Sequence, residues 1–292
     1  MILPRSQSNP VGGVRQIQRA RGAWRRHLAS VRKWLLEEVS RIPVETLTIN
    51  TVYEYQIDVA RLRQIIDELS VRVGDPQPQE LIVNEVSRAY EMGTAAAVTN
   101  LSALTDDYTR TVTQVIASQP WQRRVALIQS RVFEEMQGFA GDAARDLGRV
   151  LSQGIENGQN PRVVAKVLRE RFSVSQSRAN RIARTEITGA LRRGRLDEAQ
   201  EAEERLGIKT KMLWISALAP TSRPHHVARS GNLYDAQEVR DFYAVDGNGI
   251  NCLCTQVQTL VDDDGNPITG KSAIERVRSA KAKYRESETG NS

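Results

Sequence analysis

Cysteine and aromatic side chains are both scarce in this chain of 292 residues, and each scarcity closes off a class of protein. Two cysteines, Cys252 and Cys254, cannot form a disulfide scaffold. A bridge across the single residue between them would close a very tight ring, so a reducing compartment is the simplest setting. Four Trp, seven Tyr and four Phe are too few for an all-β sandwich, whose strands draw on aromatic and β-branched residues. No uncharged apolar run approaches the ~18 residues that span a bilayer. The Met1-Ile2-Leu3-Pro4-Arg5 start lacks the apolar stretch of a secretory signal. These absences predict a soluble, non-secreted protein without membrane contacts.

What is present is apolar material for a core, at 40% of residues, in a length that suits about two domains. The net charge of +6 is unevenly placed. Residues 1–41 hold eight Arg and Lys33 against Glu37 and Glu38, whereas basic and acidic groups nearly cancel in the remainder. Arg15, Arg19, Arg21, Arg25, Arg26, Arg32 and Lys33 therefore form a basic arm. Such an arm suits DNA phosphates or an acidic protein groove, and it lacks the interleaved aromatics of a base-stacking surface.

Periodicity predicts a mainly α chain, with a long helical N-terminal half and a small α+β unit carrying a short sheet behind it. After a flexible, Pro- and Gly-bearing start over residues 1–13, one helix is expected from Val14 to Val39 and a second from about Thr51 to Val73. Others are expected over Gln79–Ala97, Asp106–Ser118 and Trp121–Gly154, the last weakened by Gly138, Gly141 and Gly148. Gly158-Gln-Asn160-Pro161 reads as a helix stop followed by a cap and a first-turn proline. A helix follows, and Ser175 is expected to cap a separate one reaching Leu206. Lys209–Ser216 then alternates as a strand, with Thr210, Met212, Trp214 and Ser216 on one side and Lys211, Leu213 and Ile215 on the other. A loop, a Gly-rich turn, a second strand over Ile250–Leu260 and a basic helix or tail over Lys271–Arg285 complete the reading. The expected divisions are a basic arm or helix over 1–45, a helical domain over 46–155, an α+β module over 156–265 and a basic tail over 266–292.

One cluster has metal-ligand character: His225 and His226 with Cys252-x-Cys254. Thiolate and imidazole are the donors zinc prefers, and alternate residues of a strand would turn both sulfurs toward His226. The spacing is unlike the usual pairs two to four residues apart, and adjacent histidines rarely aim at one centre. Two small buried hydrophobes beside a solvent-facing histidine pair describe the same residues. A Cys–His nucleophile would need an orienting third group; Asp235 and Asn232 are candidates, and nothing singles one out. There is no phosphate loop, His-Glu-x-x-His helix or nucleophile elbow. Arg184-Thr185-Glu186 on a helix reads most simply as an ion pair that fixes packing.

The run Ile182-Ala-Arg-Thr-Glu-Ile-Thr-Gly-Ala-Leu-Arg-Arg-Gly-Arg195 resembles the corresponding helix of phage Mu F-like minor head (head morphogenesis) proteins. The later pieces follow in the same order: Trp214-Ile215, Arg223-Pro224-x-His226 with Gly231 five residues on, and Ile250-Asn251-Cys252-x-Cys254. The upstream Gly158-to-Leu168 segment also fits, so the resemblance covers roughly residues 155–260. Two departures stand out. Ala219 and Pro220 occupy the place where the family commonly has an acidic residue, and Leu253 replaces an arginine between the cysteines. The resemblance implies a non-enzymatic minor component of a tailed-phage head, located in the virion at the portal vertex or capsid interior. It implies a role in head morphogenesis, genome packaging or DNA ejection, with the portal protein as partner and major capsid protein, scaffolding protein or double-stranded DNA as further ones. It assigns structural places to Arg184, Thr185, Glu186, Gly194, Trp214, Arg223, Pro224 and Gly231. The competing expectations are a zinc-dependent hydrolase, nuclease or toxin-like effector carried in the head, and a plain DNA-binding protein.

Overall fold

The computed structural model describes residues 1–47 and 52–289; the expected helix start at Thr51 lies outside the described residues. The chain is mainly helical, with small sheets, as its periodicity predicts. In order, the elements are α1 (Val14–Arg41), β1 (Val44–Leu47), β2 (Val52–Tyr55), α2 (Val59–Val73), α3 (Pro76–Ser102), α4 (Val112–Ile116), α5 (Gln119–Glu156) and α6 (Pro161–Leu206). Then come β3 (Thr210–Ile215), α7 (Pro224–Arg229), β4 (Leu233–Tyr234), α8 (Ala236–Ala244), β5 (Thr255–Leu260) and α9 (Lys271–Thr289). They form two compact units, one of residues 1–16, 86–128 and 184–292, the other of residues 17–85 and 129–183.

The second unit is built from apolar helix faces. Trp24, Leu28, Val31 and Leu35 of α1 are buried, and the Trp24 ring meets Phe139 of α5 edge-on at 5.1 Å between centroids. The helix expected over Val14–Val39 forms, and its apolar stripe is core, so its basic residues stand on an anchored helix. Val52 and Tyr55, expected in a helix, instead belong to a β1–β2 hairpin with Val44 opposite Tyr55. Their three-residue spacing fits a helical stripe, and hydrogen bonds to the distant Gly158 turn favour the strand instead. The Tyr53 amide donates to Gly158 O at 3.0 Å, and the Tyr55 hydroxyl donates to Gln159 O at 2.8 Å. Gly158 has φ of +55°, and a Cβ there would lie 2.6 Å from Val52, so this stop signal is also a docking point. Asn160 accepts from the Arg162 amide and opens α6 at Pro161.

Helix α5 runs unbroken through Gly138, Gly141 and Gly148, and α6 runs unbroken through Ser175. The cap expected at Ser175 does not form. Phe172, Ser175 and Ala179 continue one buried stripe, and no Gly or Pro interrupts it. The Asp106–Ser118 helix contracts to the five residues of α4, capped by Thr111 and Gln114.

In the first unit the antiparallel order β4-β3-β5 forms a three-stranded sheet with two covered faces. Met212 and Trp214 pack with Leu196 and Ala199 of α6 and Val239 of α8. Leu213, Ile215 and Val257 pack with Ile274 and Val277 of α9. This is the alternation expected for Lys209–Ser216. Residues 1–13, expected to be flexible, are tied into this unit. Met1 and Leu3 pack on the α9 side, the Ile2 amide donates to Asn100 Oδ1 at 2.7 Å, and the Val11 amide donates to Leu253 O at 3.2 Å. Helices α3 and α6 approach closely at two glycines. A Cβ on Gly93 would sit 2.2 Å from Leu191 O, and one on Gly194 would sit 2.4 Å from Tyr90 O. No described helix is long and apolar enough to cross a membrane.

Candidate metal centre

Pro224 starts the short helix α7 at its first position, where a missing amide hydrogen costs nothing, and that helix carries His226 inward. Cys252 and Cys254 lie in the irregular segment before β5, not in a strand as expected. Asn251, with φ of +54°, turns the chain there, and its amide donates to Thr185 Oγ1 at 3.1 Å. The turn brings both sulfurs to one nitrogen. His226 Nδ1 is 3.4 Å from Cys252 Sγ and 3.6 Å from Cys254 Sγ, and all three residues are buried. The three donor atoms lie within 4.8 Å of one another. His225 does not join them; its Nε2 meets Asn248 Oδ1 at 2.9 Å, and its residue is exposed.

Neighbouring groups fix the cluster. The guanidinium of Arg192, itself buried, donates from Nη1 to Cys252 O at 3.1 Å and to Cys254 O at 3.4 Å, and lies 4.3 Å from the centre of the Tyr243 ring. The Cys254 amide donates to Cys252 Sγ at 3.4 Å. Tyr243 OH is 3.6 Å from Cys252 Sγ, and Ser216 Oγ is 3.7 Å from Cys254 Sγ. The His226 ring stands edge-on to Phe242 at 5.0 Å, and its Nε2 has no hydrogen-bond partner.

The two thiols differ in acidity. A hydrogen bond from Cys254 pulls Cys252 well below the usual thiol range, against burial and with help from His226 and the Arg192 charge. Cys254 is pushed well above that range by the same partner and by burial. Burial also raises the Tyr243 hydroxyl and lowers Arg195 to about 10, the latter with the Arg192 charge contributing.

The remaining motif residues hold this arrangement in place. Arg223 donates to the carbonyls of Gly247, Asn248 and Ile250 at 3.1, 2.8 and 3.2 Å, which ties the Gly-rich turn to the start of α7. Trp214 is fully buried beneath Tyr243, Phe242 and Tyr234, and Arg229 lies 4.1 Å from the Phe242 ring centre. Gly231, with φ of +82°, leaves room for Arg278, whose Nε donates to its carbonyl at 3.1 Å. Glu186 is buried, Arg184 and Thr185 are half-buried, and Thr185 bears on the cysteine turn. Arg192 escaped the sequence reading. Its place inside the Ile182–Arg195 run, two residues before Gly194, was the available signal, but nothing local distinguishes it from the other arginines of α6. A cleft of about 460 Å³ opens beside it, lined by Thr185, Arg192, Asp197, Arg240, Tyr243 and Ile250.

The basic arm lies elsewhere. Arg15, Arg19, Arg25, Arg26, Arg32 and Lys33 are exposed on α1, and Arg21 is half-buried. Arg19 reaches Glu85 at 3.5 Å, and Lys33 lies 3.9 Å from Glu37.

The C-terminal part of α6 laid on a small antiparallel sheet, with an Arg-Pro-x-His helix turned onto a Cys-x-Cys bend, makes an α+β arrangement within the first unit. The family described as Phage Mu protein F like protein matches residues 145–257, so this segment is Mu F-like, as the ordered motifs imply. The match begins ten residues upstream of the expected start, within α5. No curated protein and no solved structure matches the chain. The family supports a protein of phage head morphogenesis and, with it, a place in the virion.

Proposed function

We propose that this chain is a minor structural head protein of a tailed phage. It associates with the portal vertex or the capsid interior and assists head morphogenesis, genome packaging or DNA ejection. The family match over residues 145–257 carries this reading. The polar groups of the module are engaged mainly with one another and with backbone, as Arg223, Arg192 and Thr185 illustrate, which suits a folded scaffold rather than a catalytic centre. The portal protein is the proposed first partner, with capsid or scaffolding protein as others. The exposed basic side of α1 supplies the contact surface.

Co-expression with the portal protein of the same phage, followed by size-exclusion chromatography with light scattering, tests it. A complex of defined stoichiometry is expected. Full-length protein that elutes alone beside an assembled portal would overturn the portal assignment. Deleting α1 is the wrong experiment, because Trp24, Leu28 and Leu35 would leave the core. Replacing Arg25, Arg26, Arg32 and Lys33 together by Glu leaves that core intact and should abolish the complex.

The same basic side favours double-stranded DNA as a second reading. Arg25, Arg26, Arg32 and Lys33 fall at spacings of one, six and one residues, which sets their charges along one exposed side of α1. Affinity for duplex DNA should then fall steeply with salt. A flat response would remove this reading.

A further inference from the structure

We infer that His226 Nδ1, Cys252 Sγ and Cys254 Sγ bind one zinc ion that staples helix α7 to the bend before β5. This inference stands on the cluster alone and does not depend on the assembly role. Zinc–sulfur and zinc–nitrogen bonds of about 2.3 and 2.0–2.1 Å, at a tetrahedral angle, set nitrogen and sulfur about 3.5 Å apart. The two observed separations are 3.4 and 3.6 Å. One imidazole nitrogen can share a single proton with only one sulfur at a time, yet Nδ1 faces both. A shared cation accounts for both contacts together.

The surroundings fit the same ion. Two thiols and an imidazole form a soft donor set suited to zinc. The Cys254 amide directed at Cys252 Sγ would stabilise a thiolate there, and Arg192 holds both cysteine carbonyls so that the bend is set before an ion arrives. The ring edge of His226 that is engaged is the one facing the sulfurs, since Nε2 has no hydrogen-bond partner. Three donors leave one position, and the hydroxyls next to the sulfurs, Ser216 and Tyr243, or a water bound by them, would complete it. All three ligand residues are at most 4% exposed, which marks the ion as structural rather than presented to substrate. Both sulfurs must bind as thiolates, so uptake should weaken as pH falls.

The test uses the full chain, purified under reducing conditions without chelator or a histidine tag, with metal content measured by mass spectrometry. About one zinc per chain is expected. Exchange with Co²⁺ should give thiolate-to-cobalt charge-transfer absorption. Cys252→Ser, Cys254→Ser and His226→Ala should each lose the metal and that absorption, while His225→Ala keeps both. If a ligand variant does not fold, the wild-type chain decides. Stripping with chelator should lower its melting temperature by several degrees, and adding zinc at about a hundredfold over Kd should restore it. Folded wild-type protein with both thiols reduced that takes up neither Zn²⁺ nor Co²⁺ would overturn the inference. So would a His225→Ala variant that loses as much metal as His226→Ala.

Discussion

The two compact units place their polar residues differently. In the unit of residues 17–85 and 129–183, the buried polar side chains among the described residues are Glu38, Gln79, Glu85 and Ser175, set in a core of helix-borne Leu, Ile, Val and Ala. The other unit buries Asn100, Arg192, Glu198, Glu201, His226, Gln256 and Gln258, among others. Each buried polar group must find a partner or weaken the fold, so such groups fix one arrangement where apolar packing tolerates several. The first unit is held by specific hydrogen bonds around its cysteine bend, and the second by volume and shape. The His226, Cys252 and Cys254 cluster lies in the unit that buries the polar groups.

Substitutions can sharpen or break that contrast. The largest effects are expected at the two buried tryptophans, Trp24 and Trp214. Each changed to Ala should cost about 3–5 kcal/mol, measured by urea denaturation. Only Trp214→Ala should also disturb the His226 environment, read by NMR of the histidine ring, because the two rings lie 6.2 Å apart. Equal perturbation by both would dissolve the distinction between the units.

Glycines come next. Gly194→Ala should destabilise by about 1–3 kcal/mol, because the added carbon would press on backbone at Tyr90 and Thr94. Gly138→Ala, in open space within α5, should stabilise by about 0.5–1 kcal/mol. Thermal melts of the two variants should therefore move in opposite directions, and a shared direction would refute the close-approach argument.

The smallest effect concerns pH. Burial raises the Glu198 carboxyl above its ordinary value of 4.5, despite the Tyr108 hydrogen bond and the nearby Arg110. The folded state then holds this proton more tightly than the unfolded chain does. Its contribution to stability is full below pH 4.5 and is lost as pH rises through the raised value. Glu198→Gln should flatten that decline in a denaturation series across the same window. An unchanged slope would assign the pH dependence to other groups.

The sequence made the helical stripes legible, because Trp24, Leu28, Val31 and Leu35 recur at helical spacing, and so do Val164, Leu168 and Phe172. The sheet strand β3 was legible for the parallel reason of alternation. What escaped depended on contacts distant in the chain. The hairpin of Val52 and Tyr55 is settled by Gly158, more than a hundred residues on, and the tethering of residues 1–13 by Asn100 and Leu253. At the candidate site, the residue types of His226, Cys252 and Cys254 were readable and their convergence was not. It relies on a positive φ at Asn251 and on Arg192, which no local pattern marks.

The interleaving of chain segments bears on synthesis at the ribosome. The unit of residues 17–85 and 129–183 has all its parts once residue 183 has emerged, whereas residues 1–16 and 86–128 must wait for partners between 184 and 292. Met1 and Leu3 pack with Leu213, Val257 and Ile274, which follow them far along the chain. Folding of that unit is therefore set by long-range closure, and its earlier segments stay without partners until residues 184–292 are made. Excising the family-matched stretch alone would cut through both units and complete neither.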